Sequence, residues 1–228
     1  MVENKTFSSE IFLNNNIENK WQILSRQFQP VLNSEIFTDL RQHYNESHRH
    51  YHTLSHVNHC LSEFDLVKNQ IKNPQAVALA IWFHDYIYDP SQKDNEEKSA
   101  QNAFNTITKN GLSSDFANTV SSLILSTKHI NPSFNSDEQY LNDIDMTILG
   151  QTPDIFNIFD QKIEIEFRQI YPKDVYLGGR IKFFEAVLNR QNIFFTDFFK
   201  NKYQDTARQN IQSKKTELEI RLKSNLQN

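Results

Sequence analysis

Eight consecutive apolar residues, Ala76 to Phe83, follow Asn73-Pro74 and stop abruptly at His84-Asp85. A run with no polar break has no solvent face, so it must be buried on all sides and the rest of the chain has to wrap it. Asn at a cap position, Pro at the first helical position and three alanines in the run favour a buried helix. A buried strand is the alternative reading of the same residues.

The remaining punctuation decides between them. The 228 residues hold only four glycines and six prolines, far fewer than a sandwich or barrel with a turn every eight to twelve residues would use. The expected fold class is therefore all-α. With 38% hydrophobic residues the chain has enough apolar material for a sizeable core. Lys+Arg 24 against Asp+Glu 28 leaves a net charge of −4, with no basic excess to neutralise a run of phosphates, so nucleic acid is not expected as a partner. No charged-then-apolar leader opens the chain, no apolar run approaches a membrane span, and the single Cys60 has no internal disulfide partner. The expected address is cytoplasmic, with no membrane partner. The 18 phenylalanines are scattered as core filling between helices rather than as a stacking platform.

Residues 1–17 are polar, Asn-rich and without sustained periodicity, which predicts a loose N-terminal arm. Residues 18–228 show no repeat, no Gly/Ser linker and no composition shift, which predicts one helical domain. Periodicity places helices over Asn95 to Asn110 with Gly111 as a left-handed cap, and from Ser114 to just before Asn131. Further helices are expected from Glu138 to Leu149 closed by Gly150, from Pro153 to Pro172, from Gly179 to Gln191, and from Thr196 to about Leu222.

Six of the eight histidines (43, 48, 50, 52, 56 and 59) fall within one short stretch, and the others are His84 and His129. His52 and His56 are four apart, and His56 and His59 three apart, so either pair shares a helical face and could present imidazoles to one cation. A solvated, weakly basic stretch explains the spacing equally well. His84-Asp85 is more telling, because an imidazole and a carboxylate at the end of an apolar helix bring two polar groups to the edge of the core. The bland account is a dipole-favoured C-terminal His beside a surface Asp. In Leu141 to Gly150, Asp145 falls at the edge of the apolar face set by 141, 144, 148 and 149, while Asp143 points elsewhere.

In order, His56, His84-Asp85 and Asp145 resemble the H…HD…D signature of the HD-domain superfamily of metal-dependent phosphohydrolases. The likeness is closer to a bacterial branch with a YHxxxH start, a WFHDxxYD centre, an NEExSA segment and a DxDxxxLG end. Here these read Tyr51 to His56, Trp82 to Asp89, Asn95 to Ala100 and Asp143 to Gly150. The resemblance implies an HD-domain-like helical bundle around a central metal, with His56, His84, Asp85 and Asp145 as ligands and His52 as the runner-up to His56. Two imidazoles and two carboxylates suit Mn, Fe, Ni, Co or Zn better than magnesium.

The implied activity is hydrolysis of a nucleotide or small organic phosphate by a metal-activated water. Arg49, Lys128 and Arg180 are candidate phosphate clamps, each also readable as an ordinary surface charge. Asp89, Glu96 and His129 are candidate proton carriers, and His129 falls where some members of the superfamily place an extra active-site His, which ranks it above the other two. Enzymes of the superfamily that act on guanosine tetraphosphate carry a Glu-Asp pair where this chain has Tyr88-Asp89, so only half of that pair is present. Two rival readings remain at this level. One is an HD-fold di-iron oxygenase with added ligands from His52, His129 or Asp143. The other is a non-catalytic metal-binding adaptor that binds protein through Phe183, Phe184, Phe194, Phe195, Phe198 and Phe199.

Overall fold

A computed structural model describes residues 16–28, 32–129 and 135–226, and among them the fold is all-α, with no strand. Helix α1 covers 16–25 and runs into a 3-10 turn, Arg26–Phe28. There follow α2 (Ser34–Tyr44), α3 (Leu54–Val67) with a 3-10 extension Lys68–Gln70, α4 (Pro74–Phe83), α5 (Asn95–Lys109) and α6 (Ser114–Ser126). The chain continues with α7 (Ser136–Met146), a 3-10 turn Thr147–Gly150, α8 (Pro153–Arg168), α9 (Lys173–Leu188) and α10 (Asp197–Leu226). No described helix is long and apolar enough to cross a membrane. The loose arm expected over 1–17 lies outside the described residues except for Asn16 and Ile17, which are helical, with Ile17 buried.

Within the span expected to be one domain, the chain groups into two compact units. The first takes the described residues within 1–88 and 94–131, and the second those within 89–93 and 132–228. In the first unit α4 is the core: every residue from Ala76 to Phe83 is buried, and α3, α5 and α6 pack round it. Trp82 meets Trp21 edge-on at 5.2 Å and Phe37 at 6.1 Å. Local signals place the surrounding helices. Asn33 Oδ1 caps α2 by accepting from the Glu35 and Ile36 amides, and Ser113 caps α6 by accepting from Phe116. Gly111, at φ 93°, ends α5: its amide donates to Thr108 and the Leu112 amide to Ile107, closing two orphan carbonyls in a left-handed turn.

In the second unit α10 packs along α9 and across the Thr147–Gly150 turn. The turn replaces the last residues of the helix expected to reach Leu149, and Gly150 does more there than stop a helix. A Cβ on it would lie 2.5 Å from Tyr203 Cβ and 2.9 Å from Tyr203 O, so only glycine lets α10 approach this closely. Asn210 Nδ2 bolts the contact by donating to the carbonyls of Leu149 (2.9 Å) and Gln151 (2.8 Å). Helix α9 begins at Lys173, six residues before the expected start at Gly179. Gly178 and Gly179 lie inside it because buried Tyr176 and Leu177 anchor the first turns, outweighing the local cost of two glycines. Of the six rings considered as a binding surface, Phe184, Phe194 and Phe199 are core residues.

These two glycine environments make opposite predictions. Gly150→Ala should cost about 1–3 kcal/mol through overpacking against Tyr203, whereas Gly178→Ala, with open space at its Cβ, should stabilise by about 0.5–1 kcal/mol. Urea denaturation of the two variants checks the pair.

Candidate metal centre

Helix α4 delivers His84 to the point where its ladder runs out. The His84 amide still donates to Ala80 (2.8 Å), and its ring Nδ1 contacts the Ile81 carbonyl at 2.9 Å. A carbonyl can only accept, so Nδ1 carries a proton, and Nε2 is the atom that donates to Asp85 when protonated and offers its lone pair to a cation when not. That nitrogen faces His56 Nε2 at 3.0 Å, with Asp85 Oδ2 3.0 Å from His84 Nε2 and 3.5 Å from His56 Nε2. Both imidazoles are buried. Three ligand atoms bound to one transition ion at about 2.0–2.2 Å lie roughly 2.8–3.6 Å from one another, a range that contains the 3.0, 3.0 and 3.5 Å found here. The donor set therefore fits a divalent ion. Cys60 Sγ packs 3.7 Å from both His56 ring nitrogens, filling the space one helical turn on.

Burial opposes ionisation of Asp85, but the neighbouring His84 and His52, the hydrogen bond from His84 and the nearby His56 together hold its carboxyl well below the usual carboxylate range. Glu96, in the first turn of α5, goes the other way: burial raises its pKa, and the Asp85 charge adds to the rise. Two carboxyls in one unit are thus driven apart, one held ionised and one biased toward its acid form.

The histidine cluster separates into different jobs. His52 stacks on Tyr88 at 4.1 Å and lies 5.8 Å from the His56 ring, centroid to centroid. His48 Nε2 donates to the Tyr88 carbonyl (2.7 Å), and His43 stacks on Tyr86 at 3.9 Å. Arg49, expected as a phosphate clamp, has a buried side chain that braces the segment after the dyad instead. It donates through Nη1 to Asp85 O (2.6 Å) and His52 O (3.3 Å), through Nη2 to Tyr86 O (2.9 Å), and through Nε to Glu46 (2.9 Å). Ser99, from the NEExSA stretch, secures the same segment by accepting from the Ile87 amide (3.0 Å) and donating to the Ile87 carbonyl (3.3 Å). Sequence reasoning missed Ser99, Tyr86 and Tyr88 as supports, although the aromatic residues following the dyad were visible.

Lys128 pairs with Glu97, which brings the end of α6 to the first turn of α5. His129 follows, half-buried and at φ 54°, the one non-glycine residue among those described in the left-handed region. Backbone strain of this kind costs on the order of 1–3 kcal/mol and is common where a side chain has to be aimed.

The other expected site residues belong to the second unit. Asp145 is half-buried on α7. Asp143, read from sequence as pointing away from the apolar face, is in fact buried. It accepts from the Phe195 amide, the Thr196 amide and Thr196 Oγ1, each at 2.7 Å, and so caps the start of α10. Burial pushes its carboxyl up to about 6, against the pull of those three donors. Asp89 closes its own turn by accepting from Ser91 N (2.9 Å) and Ser91 Oγ (2.7 Å). Arg180 donates to Asp160 (2.9 Å) and rests over Phe184 at 4.4 Å.

No protein-family model matches the chain, and neither a curated protein nor a solved structure matches it.

Because Arg49 serves three carbonyls with a fork that lysine lacks, Arg49→Lys should destabilise the protein by about 2–4 kcal/mol in chemical denaturation. Arg41→Lys, on the exposed face of α2, should be close to neutral.

Proposed function

We propose that the chain is a metal-dependent phosphohydrolase acting on a nucleotide or small organic phosphate. The observation that carries the proposal is the triangle of His56 Nε2, His84 Nε2 and Asp85 Oδ2, with the His84 tautomer set by Ile81. Asp145 enters as the fourth ligand from the sequence resemblance. A divalent ion held by this set supplies positive charge for the phosphoryl oxygens and lowers the pKa of water from 15.7 toward about 7.

The chain's own residues do the rest. Asp85, held ionised, keeps its oxygen available to a cation. To Glu96, with its raised pKa, we assign the proton given to the departing alkoxide, ahead of His129, which the resemblance favoured. His129 is the second, presented from the strained end of α6. Lys128 is the clamp we assign to phosphoryl oxygens, its ammonium held in place by Glu97. Arg49 acts as a positioning residue, fixing the carbonyls of Asp85 and Tyr86 so that the dyad cannot swing.

Elemental analysis of protein purified without a metal-affinity tag should find about one transition ion per chain. In His84→Gln and Asp85→Asn it should fall to near zero with helical circular dichroism retained, and Asp145→Asn should lower it as well. His52→Gln should retain the ion. Full metal in both dyad variants would contradict the ligand assignment.

The reaction class has a separate check. With the metals found restored one at a time, a panel of nucleoside phosphates and generic phosphate esters should reveal turnover. Glu96→Gln should reduce that turnover by about 10²- to 10⁴-fold while leaving metal content unchanged. A wild-type protein that binds metal and hydrolyses none of the panel would remove the hydrolase reading.

A further inference from the structure

The first unit contains a second concavity, on faces of α3 and α4 that the metal centre does not use. Its volume is about 510 Å³, within the range of small-molecule sites. Helix α1 contributes Lys20, Ile23 and Leu24; α3 contributes Leu61, Phe64 and Asp65; α4 contributes Pro74, Ala78 and Trp82. At about 100° per residue, His84 sits about 200° round α4 from Trp82, and His56 about 140° round α3 from Leu61. The cavity and the candidate metal ligands therefore occupy different faces of the same two helices.

The cavity's charges do not balance. Its lining includes Trp82, which is fully buried. Its wall includes the half-buried Lys20, whose Nζ is held by Ser62 Oγ (2.8 Å) and Asn58 O (3.4 Å). Both of those partners are neutral, and no carboxylate among the described residues forms an ion pair with Lys20. Burial lowers its pKa, with Asp65 working against that, as expected of an ammonium short of a counter-charge. The remaining charges on the wall, Lys68 and Asp65, satisfy each other at 3.0 Å. What is left over is one positive charge and apolar surface from Ile23, Leu24, Leu61 and Phe64, with Ile23 53% exposed.

We propose that this cavity binds a small amphiphilic carboxylic acid, its carboxylate on Lys20 and its apolar body against Ile23, Leu61 and Phe64. A monoanion matches the single unbalanced ammonium. A phosphate dianion carries a second negative charge toward Asp65 with no cation left to meet it. The site is independent of the phosphohydrolase reading and stands or falls without it.

The chain has two tryptophans, Trp21 and Trp82, 5.2 Å apart, so intrinsic fluorescence reports occupancy of the cavity directly. Titration of the full-length protein with octanoate should give a saturable change in emission and a rise in melting temperature. Acetate, which lacks the apolar body, should give neither. Octanol, which lacks the charge, should bind about tenfold more weakly than octanoate, and Lys20→Met should reduce octanoate to the octanol level. Among the described residues the Lys20 ammonium hydrogen-bonds only Ser62 and Asn58, and methionine keeps the apolar stem, so the variant should melt near the wild-type temperature without ligand. The proposal is overturned by an absence of saturable octanoate binding up to about 10 mM, by equal octanoate affinity in Lys20→Met, or by tighter binding of octyl phosphate than of octanoate.

Discussion

Two imidazole nitrogens 3.0 Å apart, with a carboxylate oxygen against both, form a contact that a shared proton or a bound cation can hold together, and the first unit is built to sustain it. His84 cannot turn away, because its Nδ1 is bound to Ile81 and its backbone still belongs to the last turn of α4. His56 cannot turn away either, with Cys60 packed against its ring one turn further along α3. The apolar run from Ala76 to Phe83 is what makes this possible. A helix buried on every side is held in translation and rotation by its neighbours, so the residues at its end are positioned by the whole core rather than by a loop.

The segment after the dyad is held in a different way. From Asp85 to Tyr88 the backbone makes no regular ladder, and its polar groups are met by side chains from elsewhere: Arg49 for the carbonyls of Asp85 and Tyr86, Ser99 for both backbone groups of Ile87, and His48 for the Tyr88 carbonyl. A non-helical backbone beside a buried site requires this accounting. It also gives a physical reason for motif positions that carry no chemistry of their own. The serine of the NEExSA stretch and the arginine before the YHxxxH stretch maintain the shape of the dyad segment. The second unit has a comparable device in Asp143, whose carboxylate collects three donors at the start of α10. That use of Asp143 leaves it poorly suited to serve as an extra iron ligand.

Much of this was legible because the signals were contiguous. The unbroken apolar run marked α4, the residue following it marked His84, and Gly111 marked the end of α5. What escaped was decided by contacts distant in sequence. Arg49 looked like a free cation because its partners are main-chain oxygens 36 and 37 residues away, which have no sequence signature. Gly150 looked like a helix stop, whereas the constraint on it is the Tyr203 backbone. Gly178-Gly179 looked like a helix start, because local propensity cannot register that Tyr176 and Leu177 are buried. The opposed shifts of Asp85 and Glu96 depend on burial and on neighbouring charges, the histidines for Asp85 and Asp85 itself for Glu96, and neither is visible in residue order.

The central claim is that His56, His84 and Asp85 converge on one divalent ion while the neighbouring cysteine only packs. X-ray absorption spectroscopy of the metal-loaded protein addresses this directly. The account predicts a first shell of nitrogen and oxygen scatterers at about 2.0–2.2 Å, including the outer-shell signature of two imidazoles, with no sulfur. A sulfur scatterer at about 2.3 Å would place Cys60 on the metal, and a shell without imidazole would contradict the site altogether.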